Sequence, residues 1–255
     1  MGKEMSGPGY ASAEDSAVSK EVGSGRPYFP TTRWSKIRAA GESVAEGDEA
    51  FASLCNDYWS PIFAYLRRFG FSEADAQDLT QGFFVHLLEH RTVRRADQHR
   101  GKFRSFLLGA LKNYLSNEAA RVGRQKRGGK HEIVSIDDPS QTIPEPAVEA
   151  EAVRSFEESW ANEVVSRSLT RLREKFRGEN RIELFNVLER FLGEATVSEE
   201  AARALGSSIG ALRTAVSRLR KQFGEQIRFE IARTVAAPDL IEEEFRYLRS
   251  VLGRM

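Results

Sequence analysis

Hydrophobic residues recur along this chain at helical rather than strand spacing. From Asp48 onward, Phe51, Leu54, Tyr58, Ile62, Tyr65 and Leu66 fall three or four positions apart, which predicts a helix with one buried stripe. Pro61 lies inside that stripe, and its missing N–H and crowded ring predict a break or kink. Ser72-Glu73-Ala74-Asp75 has the composition of a capped start and leads into a helix with Ala76, Leu79, Phe83 and Leu87 on one side. Phe103, Phe106, Leu107, Ala110, Leu111, Tyr114 and Leu115 predict a third helix, from Phe103 to about Gly123, and Gly128-Gly129 stops regular structure.

Beyond His131 the pattern lapses. The stretch DDPSQTIPEP has three prolines and no helical period, which predicts a linker that its own acidity extends. Periodicity then resumes. Phe156, Trp160, Val164, Leu169, Leu172 and Phe176 line one helix, and Ile182, Phe185, Leu188, Phe191 and Leu192 the next. Two helical pieces follow, broken at Gly206-Ser207-Ser208, and Pro238 precedes a short amphipathic helix over Leu240–Leu252. There is no internal repeat and no alternating pattern longer than EIVSI.

The expected fold is all-α, with two helical domains joined by an acidic flexible linker. Residues 1–28, rich in Gly, Ser and Ala, form a disordered extension. Residues 29–128 are the first unit, 129–152 the linker, 153–235 the second unit and 236–255 a C-terminal helix. Trp59 and Trp160 are read as core residues.

Charge changes this picture by its distribution rather than its total. The net charge is only +1, yet Arg91 to Lys130 is strongly basic, Glu132 to Glu163 is acidic, and a second basic cluster follows Gly206. Cys55 is the only cysteine, which excludes an intrachain disulfide. The histidines are scattered, and neither a zinc-type cluster nor a nucleophile–base constellation stands out, so no enzyme activity, metal or cofactor is expected. No run reaches the length of a membrane span, and no signal peptide opens the chain, so a cytoplasmic protein is expected.

The broken helical pair at Ala202–Phe223 has the outline of a helix-turn-helix. On its second helix Leu212, Val216, Leu219 and Phe223 fall in one arc. Thr214, Ser217, Arg218 and Lys221 fall opposite, with Arg213 at the edge. Small hydroxyls and cations on a solvent face suit entry into the DNA major groove, where Arg pairs with guanine edges. Ser208 can cap the helix and offer N–H groups to a phosphate. A solvated basic face on a structural hairpin would look the same from this segment alone.

Two further stretches carry a resemblance. DAQDLTQGFF (Asp75–Phe84) resembles region 2.2, and FRSFLLGALKNYLSNEAARVGR (Phe103–Arg124) resembles regions 2.3–2.4, of bacterial RNA polymerase sigma factors of the extracytoplasmic-function group. LGSSIGALRTAVSRLRKQF resembles region 4.2 of the same family, and the three motifs stand in family order around an acidic linker. The resemblance implies that Asp75, Asp78, Gln81 and Phe84 dock on core RNA polymerase, whose β′ and β subunits become the expected protein partners. It implies that Arg100, Lys102, Arg104, Lys112, Asn113, Tyr114, Arg121 and Arg124 engage the −10 element of promoter DNA. Thr214, Ser217, Arg218 and Lys221 would read the −35 element, with Ser208, Arg213 and Arg220 on phosphates.

Three positions depart from the family pattern. Gln77 and Gly82 stand where relatives carry carboxylates, and Phe106 replaces a Trp. Thr80 sits between Asp78 and Gly82, so phosphorylation by a Ser/Thr kinase would restore negative charge to the docking face; otherwise Thr80 is an ordinary helix residue. An anti-sigma protein is the other regulator the resemblance allows. The competing reading is a sigma-fold DNA-binding regulator or a protein-interaction adaptor that is not a polymerase subunit.

Overall fold

A computed structural model describes residues 44–89, 102–128, 146–193, 196–235 and 237–253, with the side chains of 44–50 and 122–128 left aside. The expected disordered extension over 1–28, most of the linker, Arg100 and the Arg124 side chain lie outside the described residues. Among the described residues eight α-helices follow one another: α1 (Val44–Phe69), α2 (Glu73–Glu89), α3 (Phe103–Gly128), α4 (Pro146–Gly178), α5 (Ile182–Leu188), α6 (Glu199–Ala204), α7 (Ile209–Ala232) and α8 (Leu240–Leu252). A 3₁₀ turn, Glu189–Phe191, extends α5. Extended pairing among the described residues is confined to one isolated bridge, Lys102 with Val235, so the all-α expectation holds.

Local chemistry sets most helix ends. Ser72 accepts from the Asp75 N–H (3.1 Å) and starts α2 as the sequence predicts. Ser198 and Ser208 cap α6 and α7 in the same way. Between α4 and α5 the chain turns through Asn180 at φ 55°, the left-handed conformation that Asn tolerates, and the Arg181 N–H closes back on the Phe176 carbonyl at 2.8 Å. Pro61 does not end α1. The helix runs through it, and the flanking Tyr58, Ile62, Tyr65 and Leu66 are almost fully buried, so packing outweighs the lost hydrogen bond.

Two hydrophobic cores result. The first gathers Leu54, Tyr58, Ile62 and Leu66 of α1, Ala76, Phe83 and Leu87 of α2, and Phe103, Leu107 and Leu111 of α3. It does not stop at the third helix. Ala152, Phe156, Trp160 and Val164 of α4 belong to it, as do Ile227 and Ile231 of α7, Val235, and Leu248 and Val251 of α8. The second core is built by Leu172 and Phe176 of α4, Phe185 and Leu188 of α5, Phe191, Val197, Ala202, and Leu212, Val216 and Leu219 of α7.

Two long helices therefore serve both cores. The 33 residues of α4 make a rod of about 50 Å at 1.5 Å per residue, with one core at its start and the other at its end. Helix α7 returns in the opposite sense, from the second core to the first. Where the two rods pass α1, Glu230 is buried and faces Arg167 (3.3 Å), Arg171 (2.5 Å) and Arg233 (3.5 Å), while Arg167 also reaches Asp57 (3.3 Å). Helix α4 starts inside the stretch expected as linker, because Pro146 occupies a first-turn position that suits its missing N–H.

Candidate partner-docking and nucleic-acid interfaces

Helix α2 presents a mixed outer face. Asp75, Asp78 and Gln81 are exposed, and spacing of three and four residues extends that strip to Val85 and Leu88. Val85 is 45 % and Leu88 52 % exposed, unusually open for apolar side chains on a well-packed helix. Neither was singled out from sequence; the available signal was that both lie off the buried stripe of Ala76, Phe83 and Leu87. Phe84, expected to touch the polymerase, is buried and stacks beneath Trp59 at 6.0 Å, so the partly exposed indole is the ring that faces outward. Trp59 is thus no core residue, whereas Trp160 is.

Thr80 is fully buried, and its hydroxyl donates to the Ala76 carbonyl at 2.6 Å. It shares the inward stripe with Ala76, Phe83, Phe84 and Leu87, which corrects its assignment as a phosphorylation site, since a kinase must reach the hydroxyl. Gly82 also has a packing reason. A Cβ added there would stand 2.5 Å from the Tyr114 hydroxyl, and Tyr114 is itself held between Phe83 (5.7 Å) and His86 (5.3 Å). Tyr114, expected near the opened DNA strand, is a buried wedge between α2 and α3.

The other residues expected at the −10 element divide by face. Asn113 is exposed on α3. Arg121 is exposed and bonds Glu118 one turn earlier at 2.8 Å, and that bond holds its pKa above the ordinary value. Lys112 pairs with Glu149 at the start of α4. Arg104 points inward. Its guanidinium bonds Glu244, reaches Glu157 at 3.3 Å, and lies over the rings of Tyr247 (4.1 Å) and Trp160 (5.1 Å). As placed it is a buried anchor rather than a DNA contact, because it falls on the inward arc with Leu107 and Leu111.

Lys102 bonds Glu243 and Glu244, each at 2.9 Å. Burial alone would lower its pKa, but the bonds to Glu243 and Glu244 more than offset that, and the ammonium stays charged above its usual range. The same bond pulls the Glu243 carboxyl below the usual carboxylate range.

At the second core, α6, a turn through Gly206 (φ +60°) and α7 form the anticipated helical pair. Ser208 is extended and accepts from the Ala211 N–H at 3.2 Å. Leu212, Val216 and Leu219 face the core, and Arg213, Thr214, Ser217, Arg218 and Lys221 are exposed, as the helical arc predicts. Arg220 differs from its phosphate-contact reading: it is half-buried and donates to the Phe191 carbonyl at 2.7 Å, tying α7 to the 3₁₀ turn. A shallow groove beside the helix is lined by Thr196, Val197, Arg213, Val216, Ser217 and Arg220.

Among the described residues no helix is long and apolar enough to cross a membrane, and no three His, Cys, Asp or Glu side chains are grouped to hold a metal ion. Comparison with curated proteins and with solved structures gives no match. Residues 54–125, which cover most of α1, all of α2 and most of α3, match the family described as sigma-70 region 2.

Proposed function

We propose that this chain is a sigma factor of the extracytoplasmic-function type, a non-enzymatic cytoplasmic subunit that recruits core RNA polymerase to promoters. The first unit carries polymerase docking on α2, through Asp75, Asp78 and Gln81 and the neighbouring Val85, Leu88 and Trp59, and engages the −10 element along α3. The second unit reads the −35 element with α7, where Thr214, Ser217, Arg218 and Lys221 face base edges and Ser208 and Arg213 hold phosphates.

One observation carries this reading. A chain whose residues 54–125 match sigma-70 region 2 also holds a second helical core whose N-capped helix turns five hydroxyl and cationic side chains outward. Neither half alone would suffice, since capped basic helices are common.

The test is co-purification with core RNA polymerase, comparing the native chain with Asp78→Arg. Retention of the native chain and loss of at least tenfold in the variant is expected, because a cation replaces an exposed carboxylate at the centre of the docking strip. Retention of neither would refute the polymerase reading and leave a sigma-fold regulator or adaptor.

A further inference from the structure

The cations of the first unit and those of α7 differ in one respect. Lys102, Arg104, Lys112 and Arg121 each hold a carboxylate. Only Glu118 belongs to the segment that matches sigma-70 region 2; Glu149, Glu157, Glu243 and Glu244 come from α4 and α8, outside it. On α7, Arg213, Arg218 and Lys221 are exposed and make no ion pair with any described residue. Among the described cations expected to meet DNA, neutralisation thus falls on the −10 set and not on the exposed face of α7, and it is supplied largely by α4 and α8.

Helix α8 does most of it. Glu244 is buried between Lys102 and Arg104, and Glu243, half open to solvent, closes over Lys102. Its second edge is fixed to α7, where Arg228 bonds Glu242 at 2.5 Å and lies 4.1 Å from the Phe245 ring. The connection into α8 is short and meets the start of α3 directly, since the Phe103 N–H donates to the Thr234 carbonyl at 3.2 Å. Two adjacent carboxylates on a lysine and an arginine reproduce the charge pattern of consecutive phosphates.

We propose that α8 is an intramolecular latch that stands in for nucleic-acid phosphate on Lys102 and Arg104, so that single-stranded DNA engages this surface only when α8 lifts away. The proposal rests on the sigma-factor reading of α3. It makes the protein autoinhibited for DNA while the polymerase-docking face on α2 stays open.

The experiment uses the full chain and a labelled short single-stranded oligonucleotide. Glu243→Gln/Glu244→Gln removes the latch charges while keeping shape and the apolar contacts of Leu248 and Val251. Its affinity should rise on the order of tenfold, and its log K against log salt slope should steepen by about 1.4 as two cations become available. Hydrogen exchange of the native chain decides the matter even if that variant folds poorly: residues 240–252 should lose protection when the oligonucleotide binds. Unchanged affinity together with a protected α8 in the complex would overturn the latch. If neither chain binds the oligonucleotide but polymerase retention still depends on Asp78, the latch falls and the sigma reading stands; loss of both removes both.

Discussion

Gly82→Ala tests whether the contact between α2 and α3 is as close as the structure states. In an exposed helix this substitution stabilises by about 1 kcal/mol, because alanine restricts the unfolded chain and glycine does not. Here the new Cβ would meet the Tyr114 hydroxyl at 2.5 Å, about 1 Å inside van der Waals contact. The ring cannot swing aside cheaply, since Phe83 and His86 flank it, so overpacking should cost about 1–3 kcal/mol and cancel or exceed the helical gain. Tyr114→Phe removes the obstructing oxygen and leaves the ring carbon 3.7 Å away, an ordinary contact. In that background Gly82→Ala should stabilise by about 1 kcal/mol. Urea titration of the four chains gives the coupling energy directly, expected at about 1–3 kcal/mol with an unchanged m-value. A glycine substitution worth the same in both backgrounds would refute the argument. The result also bears on charge at the proposed docking face, because a carboxylate at position 82 requires Tyr114 to move first.

Three further outcomes are expected. Arg104→Met should cost about 3 kcal/mol in urea, the low end for breaking a buried pair because Lys102 still faces Glu244, whereas Arg104→Met/Glu244→Leu should recover most of it; equal losses in both chains would contradict the ion-pair account. Thr80→Glu should destabilise by about 3–5 kcal/mol, since it puts a carboxylate at a fully buried position, and a variant as stable as the native chain would restore Thr80 as a candidate modification site. Burial pushes the Cys55 thiol from 9.0 up to about 11. At pH 8 its alkylation should therefore run about a hundredfold slower than in the urea-unfolded chain, and comparable rates would show that the site is open.

Helix positions were legible from periodicity because each stripe had to find a core, whichever core that was. The partner of each stripe was not. Phe156 and Trp160 read equally well as the start of a second domain, and only the packing shows that they close the first. Pro146 with Glu149 is a helix-start signal that the prolines and acidity around it disguised as linker. On α7 the division into buried and exposed sides was legible because both sides are pure, apolar against polar. Thr80 and Arg104 were misread because each is a polar residue on an otherwise apolar arc, where assignment by charge and assignment by phase disagree. Phase won both times, Thr80 by bonding its own backbone and Arg104 by finding Glu244 far along the chain. Such distant partners leave no local trace in a sequence.

The first core contains Leu54 and Val251, so the earliest-made part of the fold waits for a late one. At a synthesis rate of about 5–20 residues per second, the interval between them is roughly 10–40 s. During that interval α1, α2 and α3 can pair, but the side of Trp160 that Tyr247 of α8 will cover remains wet. The nascent chain is then a sticky half-built object on the ribosome, and its solubility in the cell depends on how quickly translation passes residue 250.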